Sequence, residues 1–156
     1  MRRIKAWLPA ALWMGLIFMM SAMPGDVSGD TSGRLMKLLL WMISLVVGDE
    51  AVAGIPLDML HLLIRKAAHM TEYAVLFLLY HRALRMENAK HPGMYALLMC
   101  AAYAATDEFH QGFVEARGPS IADVGIDTLG ALLGITALTL IHSKIKKSIN
   151  KRSKQL

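Results

Sequence analysis

Four apolar segments with sorted flanking charges constrain this chain of 156 residues more than any other feature. The segments cover roughly residues 6–23, 61–81, 93–113 and 121–141. Each approaches the ~20 helical residues that are needed to cross the hydrocarbon core of a bilayer. The mean hydropathy of +0.42 agrees with a membrane protein. We therefore expect an all-α integral membrane bundle of four transmembrane helices, built as a single domain over residues 1–156.

The N-terminal third adds one shorter apolar run and one competing interpretation. Residues 35–47 are apolar but too few for a comfortable span, which predicts a short interfacial or re-entrant helix. The first segment also has the basic start of a signal peptide. Met20 stands where a small residue is needed for cleavage after Ala22, so we expect this segment to be retained as a helix.

Lysine and arginine are concentrated on one side of the predicted bundle. Twelve of the 17 basic residues precede the first segment, separate the second from the third, or follow the fourth. Among the 12 acidic residues, only Glu87 lies on that side. The positive-inside rule then predicts an inner-membrane protein with both termini in the cytoplasm and an even number of spans. The basic tail over 142–156 is typical of a topology and lipid-headgroup anchor, so we expect membrane lipids and no nucleic acid as partners.

Ionisable residues of three segments fall at a similar depth in this orientation. On the second segment, Arg65, His69 and Glu72 share one helical stripe, because their spacing is i, i+4, i+7. The third segment ends in a polar run, and the fourth begins with two aspartates four residues apart. A charge at the bilayer centre is unfavourable by roughly 2.5–3.5 kcal/mol, so such a cluster predicts a pocket that opens outward. Its members are Arg65, Lys66, His69 and Glu72; Asp107, Glu108, His110 and Gln111; Arg117; and Asp123 and Asp127.

Small residues predict where the helices approach most closely. Gly130 and Gly134 continue the stripe of Asp123 and Asp127 and form a GxxxG surface, a pattern that favours close packing of helix backbones. Cys100 lies alone inside an apolar run, so it forms no disulfide within the chain and is expected to be a small buried hydrophobe.

The first functional hypothesis is an enzyme that acts on an amphiphile from the outer face. Carboxylates and imidazoles provide general acid–base groups. We expect His69 or His110 as the base or nucleophile, with Glu72 or Asp107 to orient it. Arg65, Lys66 and Arg117 would bind a phosphate or carboxylate. A lipid-linked cell-wall precursor or a phospholipid headgroup fits this location.

Three other interpretations of the same residues stay open. The charges would neutralise one another in a structural ion-pair network, although buried ion pairs explain stability poorly. The pocket would bind or shield an envelope ligand without catalysis. Chains of carboxylates and histidines also relay protons, which suits a component of a proton-coupled transporter. The sequence does not indicate the oligomeric state.

A divalent metal is the one cofactor that the sequence suggests. Residues 69–72 (HMTE) and 107–110 (DEFH) are both i, i+3 pairs of histidine and carboxylate on different segments. Carboxylate metal sites in helix bundles use Glu-x-x-His pairs that project inward. These residue types suit Zn²⁺ or Mn²⁺.

Several motifs together resemble the VanZ-like family of small bacterial multi-span membrane proteins, named for a member tied to resistance to the glycopeptide teicoplanin. They are RKAAHMTEYAVLFLL (65–79), TDEFHQGFVEARGPSIADVGIDTLGALLG (106–134) and SAMP (21–24). The resemblance implies Lys66, His69, Glu72, Tyr73, Asp107, Glu108, His110, Gln111, Arg117 and Asp123 as motif positions. Asp127 departs from the pattern, since the family often has asparagine there.

Overall fold

The computed structural model describes four helices that pack into one bundle. It describes residues 2–23, 33, 37–38, 40–42, 44–45, 48, 50, 56–115 and 117–152. Helix α1 covers Arg2–Ser21, α2 covers Leu57–Met86, α3 covers Pro92–Gln111 and α4 covers Ile121–Arg152. The described residues contain no β-strand. The predicted all-α class is therefore confirmed.

The short helix predicted over 35–47 falls mostly outside the described residues. Those that are described between 37 and 45 are helical. Its interfacial or re-entrant placement stays a prediction.

Two of the four helices are long and apolar enough to cross a membrane, judged by length and composition. The qualifying stretches are Arg3–Ser21 and Ile121–Ile141. Helix α2 carries Arg65, Lys66 and Glu72 in its first half, and α3 ends in a polar run, which makes both less apolar. The two apolar helices suggest a membrane protein, while the four-span arrangement and the side of each terminus stay predictions.

The outward faces of the bundle are rich in large apolar side chains. On α1, the side chains of Ile4 and Leu12 are 67% and 66% exposed. Leu98 on α3 and Leu140 on α4 are exposed to a similar extent. Soluble monomers rarely expose extensive apolar patches, so this surface agrees with lipid surroundings.

Helix α2 lies at the centre of the bundle and organises the core. It packs against α1, α3 and α4, while α3 also packs against α4. The core pairs large side chains of α2, such as Tyr73 and Phe77, with small buried residues of α3, including Ala104 and Cys100. Cys100 is a free, buried thiol, as expected from the sequence.

The glycine seam, which is the contact of Gly130 and Gly134 with α2, explains how α4 approaches so closely. A Cβ atom added at Gly130 would lie 2.7 Å from the Cα of Met70. At Gly134 an added Cβ would lie 2.8 Å from Cδ1 of Phe77. Real Cβ atoms do not make such contacts, so neither position has room for a side chain. The predicted close approach is confirmed, and its partner is α2.

The turn between α2 and α3 has clear local causes at both helix ends. Asn88 has a φ of 58°, in the left-handed region that asparagine tolerates better than most residues. The backbone N–H of Ala89 donates to the carbonyl of Leu84 (3.0 Å) and so satisfies one end group of α2. Pro92 then begins α3, a position that needs no N–H donor.

Candidate functional site

A polar cavity of about 200 Å³ opens at the end of the bundle where α3 ends and α4 begins. Three helices and one loop contribute to its wall. Eight of the sequence-predicted residues line it, together with three that the sequence did not single out. The lining residues are Leu62, Arg65, Lys66 and His69; Glu108 and Gln111; Arg117 and Gly118; and Asp123, Ile126 and Asp127.

His69 lies between carboxylates of two helices on this wall. Its Nδ1 is 3.8 Å from Oδ1 of Asp127 on α4 and 3.9 Å from Oε2 of Glu72, one turn further along α2. Since Nδ1 faces the two acids, Nε2 is the ring nitrogen left for a ligand in the cavity. Both distances exceed that of a hydrogen bond, so the two acids lie near the imidazole without being bonded to it. His69 and Asp127 thus lie at the same level of the bundle, while their depth in a membrane stays a prediction.

Polar atoms in the cavity wall and directly behind it lack hydrogen-bond partners in the described part of the chain. Asp127 is 1% exposed, and neither of its carboxylate oxygens accepts a hydrogen bond. Asp107 accepts one from Nε2 of Gln111 (3.1 Å), while its Oδ1 has no partner. Native proteins satisfy most buried polar groups, so this cluster calls for a functional explanation.

The connection from α3 to α4 is held in place by two hydrogen bonds. The backbone N–H of Ser120 donates to Oε2 of Glu108 (2.8 Å), which places a carboxylate at the start of α4. There it also faces the positive end of the helix dipole. Three residues earlier in this loop, Nη2 of Arg117 donates to the carbonyl of Met20 on α1 (3.4 Å). The loop therefore carries Arg117 back over the bundle and into the wall of the cavity.

Lys66 and Asp123 form the shortest ion pair of the cavity. The distance from Nζ of Lys66 to Oδ1 of Asp123 is 2.5 Å, and the contact joins α2 to α4. Both side chains keep more than 30% of their surface exposed. The pair thus lies at the mouth of the cavity, where Asp123 neutralises the charge of Lys66.

Arg65 and Arg117 give the cavity its remaining positive charge. Burial lowers the pKa of the Arg117 guanidinium, and the nearby charge of Arg65 lowers it further. The carboxylates of Asp107 and Glu108 oppose these effects. Arginine stays protonated at physiological pH in spite of such shifts, so both cations persist.

Four sequence-predicted residues do not line the cavity. Glu72 and Asp107 lie behind it, where they contact His69 and Gln111 respectively. Tyr73 is fully buried, with its ring centroid 6.3 Å from that of Tyr103.

His110 points away from the cavity. Its ring lies against Phe18 of α1, with centroids 4.4 Å apart. Of the two histidines offered as a base, the geometry therefore favours His69.

Leu62, Gly118 and Ile126 are the lining residues that the sequence analysis missed. Leu62 lies three residues before Arg65 and Ile126 three after Asp123, so helical spacing places each beside a predicted residue. That spacing could have predicted both as lining residues, but the chain has many apolar residues and nothing else distinguished these two. Gly118 follows Arg117 directly and had no signal of its own.

The metal hypothesis gains no support from the part of the chain that the structure describes. No three side chains of the histidine, cysteine, aspartate and glutamate types come together there in a way that would hold an ion. Of the two i, i+3 pairs, only the one with His69 has both members at the cavity wall or in contact with it. His110 of the second pair faces Phe18.

Comparison with known proteins gives one match. A family model described as VanZ/LLP1 matches residues 6–142, a stretch that begins within α1 and ends within α4. No curated protein and no solved structure matches the chain at a significant level.

Proposed function

The chain belongs to the VanZ/LLP1 family, and from that premise we propose that it is an inner-membrane enzyme with an outward-facing site. The polar cavity takes the headgroup of an envelope amphiphile, such as a lipid-linked cell-wall precursor or a phospholipid. His69 acts on it as the general base. Through this reaction the protein contributes to glycopeptide (teicoplanin) resistance.

One observation carries the proposal: an imidazole that lies beside two carboxylates lines a cavity whose wall also contains arginines. His69 lies 3.8 Å from Asp127 and 3.9 Å from Glu72, and the same wall includes Arg65 and Arg117. A histidine with carboxylates near its Nδ1 side has the groups that general-base catalysis needs. A structural network alone would pair each arginine with a carboxylate, which this cavity does not do.

The size of the cavity supports an amphiphilic substrate. Pockets that enclose a whole drug-sized ligand measure ~300–1,000 Å³, and this one measures about 200 Å³. It has room for a headgroup, while the hydrocarbon chain would stay in the lipid beside the apolar faces of α3 and α4. Leu98 and Leu129 are exposed on these faces.

The proposed topology has four spans with both termini in the cytoplasm. The charge distribution and the exposed apolar faces support it, and the antiparallel order of the helices brings all cavity residues to one end. That end would face outward, because the Lys- and Arg-rich connection around residues 82–90 lies at the opposite end.

The activity test compares two histidines in a bacterial strain that depends on this protein. Untargeted lipidomics of envelope precursors and teicoplanin susceptibility are measured for the wild type, His69→Ala and His110→Ala. We expect His69→Ala to accumulate one anionic amphiphile and to lose resistance at normal membrane levels. His110→Ala should retain both properties, because its ring contacts Phe18 outside the cavity.

Two results would decide against catalysis by His69. If His69→Ala keeps the wild-type lipid profile and resistance, the alternative of a non-enzymatic binding or shielding protein is favoured. If both histidine variants lose activity equally at normal levels, the cavity is not the active site.

Cysteine labelling tests the topology. The native Cys100 is buried, so it gives little background. Gly118→Cys introduces a thiol with open space around it, and His91→Cys places one on the exposed turn at the other end of the bundle. A membrane-impermeant maleimide should label only Gly118→Cys in intact cells. Labelling of His91→Cys alone would reverse the proposed orientation.

A further inference from the structure

We propose that Arg65 and Arg117 together bind the phosphate group of a phosphate-monoester amphiphile. The inference rests on the proposed function for the amphiphile, whereas the anion site itself follows from charge and hydrogen bonding in the cavity.

Every other charged side chain that lines the cavity has a charged or hydrogen-bonding neighbour. Lys66 is paired with Asp123, and Asp127 lies beside His69. Glu108 accepts the N–H of Ser120. These neighbours leave the carboxylates of the wall occupied and the two guanidinium groups available.

Neither arginine takes part in an ion pair within the described residues. The ion pairs of the described residues join Arg3 to Glu87, Lys66 to Asp123, and His69 to Glu72 and Asp127. Asp107 and Glu108 attract Arg117 from beyond ion-pair distance. Two unpaired cations on one cavity wall are a site for a bound anion.

Arg117 has donors that lack an acceptor. Its Nε and Nη1 atoms are buried without a hydrogen-bond partner, while Nη2 donates to Met20. A buried N–H without an acceptor is destabilising, and more so when it carries charge. A phosphate oxygen in the cavity would accept from these atoms.

The charge and shape of phosphate fit the arginines better than those of a carboxylate. Arg65 and Arg117 lie near enough to repel each other. A phosphate monoester carries a charge of about −1.5 to −2 near neutral pH, which matches two guanidinium groups. Arginine also binds phosphate oxygens through two parallel hydrogen bonds. A carboxylate has one charge and would neutralise only one of the two cations.

The binding test uses purified protein in a neutral detergent with monododecyl phosphate as the probe. Isothermal titration calorimetry should give a measurable Kd for the wild type. Arg65→Gln and Arg117→Gln should each weaken binding by ~10- to 100-fold, since each removes charge-assisted hydrogen bonds. Arg85→Gln is the matched control, because Arg85 is exposed near the opposite end of α2 and should leave Kd unchanged.

A parallel titration with inorganic phosphate separates the two sources of the anion. Tighter binding of monododecyl phosphate by tenfold or more supports an amphiphile, while equal affinities support the phosphate site but assign it to free phosphate. Circular dichroism confirms that each variant is folded. Arg65→Gln is the decisive variant if Arg117→Gln unfolds, because the side chain of Arg65 makes no hydrogen bond with the described residues. Wild-type protein that binds neither probe, or a folded Arg65→Gln with wild-type Kd, would overturn the inference.

His69→Ala separates this inference from the proposed function. Within the inference this variant still binds monododecyl phosphate, and its binding is still weakened by Arg65→Gln, because the arginines are intact. Lost activity in His69→Ala together with arginine-independent binding would reject the phosphate site and keep the enzyme. Arginine-dependent binding with a fully active His69→Ala would keep the phosphate site and reject the enzyme.

Discussion

Helices α2 and α4 face each other in two regions that differ in how closely they pack. In the glycine seam, Gly130 and Gly134 bring the backbones together without space for even one more carbon atom. About one and two turns before Gly130 in α4, Asp127 and Asp123 face α2 across the polar cavity. The same pair of helices is thus closely packed at one level and separated by a cavity at the other.

The difference indicates which level stabilises the bundle and which level provides a site. In lipid, helices associate mainly through packing and interhelical hydrogen bonds, because the hydrocarbon around them is as apolar as their side chains. The glycine seam provides that packing. The cavity contains the carboxylate oxygens of Asp127, which have no hydrogen-bond partner among the described residues, and this works against stability. We therefore expect changes in the seam to affect folding and changes in the cavity to affect function.

Gly130→Ala should give the largest loss of stability. Its new Cβ would overlap the backbone of Met70, so α4 must move away from α2. Overpacking of a close contact destabilises proteins by about 1–3 kcal/mol. Thermal unfolding in detergent measures the change.

Gly125→Ala is the matched control on the same helix. An added Cβ there has no neighbour within 4 Å, and alanine favours a helix more than glycine does. Its stability should equal or slightly exceed that of the wild type. If both variants unfold at the same temperature, the glycine seam does not limit the packing.

Asp127→Asn should change stability in the opposite direction from Gly130→Ala. It removes a buried carboxylate whose oxygens have no hydrogen-bond partner, while it keeps the shape of the side chain. We expect a free energy of unfolding that is unchanged or higher by about 1 kcal/mol, since a buried carboxylate that accepts no hydrogen bond is unfavourable. Activity should fall, because His69 loses one of its two acids.

Asp58→Asn gives the comparison for this substitution. Asp58 is exposed in the first turn of α2, where a negative charge favours the helix dipole, so its removal should lower stability slightly. A loss of stability in Asp127→Asn larger than in Asp58→Asn would mean that Asp127 supports the fold.

Two tyrosines make a smaller and cleaner version of the same contrast. The hydroxyl of Tyr103 donates to the carbonyl of Met14 (2.7 Å), whereas the buried hydroxyl of Tyr73 has no partner in the described structure. Tyr103→Phe should lower the free energy of unfolding by about 0.5–1.5 kcal/mol. Tyr73→Phe should leave it unchanged or raise it. Equal losses in chemical denaturation would show that Tyr73 has a hydrogen-bond partner in the protein.

The sequence predicted the placement of the polar cluster well because helical spacing and charge sorting are both periodic signals. They were enough to bring Arg65, Gln111 and Asp127 to one end of three helices. The GxxxG pattern likewise predicted a close contact at Gly130, although its partner helix had to come from the structure.

Helical spacing and charge sorting did not predict which way a side chain points or which charged residues form ion pairs. His110 differs by one residue from Gln111, yet it packs on Phe18 while Gln111 lines the cavity. The sequence treated Arg65, Lys66 and Arg117 as equivalent cations. The structure pairs only Lys66, because the pairing depends on which carboxylate of α4 lies opposite.

The Lys66–Asp123 pair should have the smallest effect on stability among these predictions, although it has the shortest ion-pair distance in the cavity. Its two side chains are 33% and 41% exposed, so water and salt weaken their attraction. A double-mutant cycle with Lys66→Met and Asp123→Asn should give a coupling of about 0.2–1 kcal/mol, the range of exposed pairs. The coupling should decrease when the salt concentration is raised from 0.1 to ~1 M, as screening shortens the Debye length. A coupling well above that range, and insensitive to salt, would place the pair among the contacts that stabilise the fold. The contrast between seam and cavity would then be limited to Asp127 and the arginines.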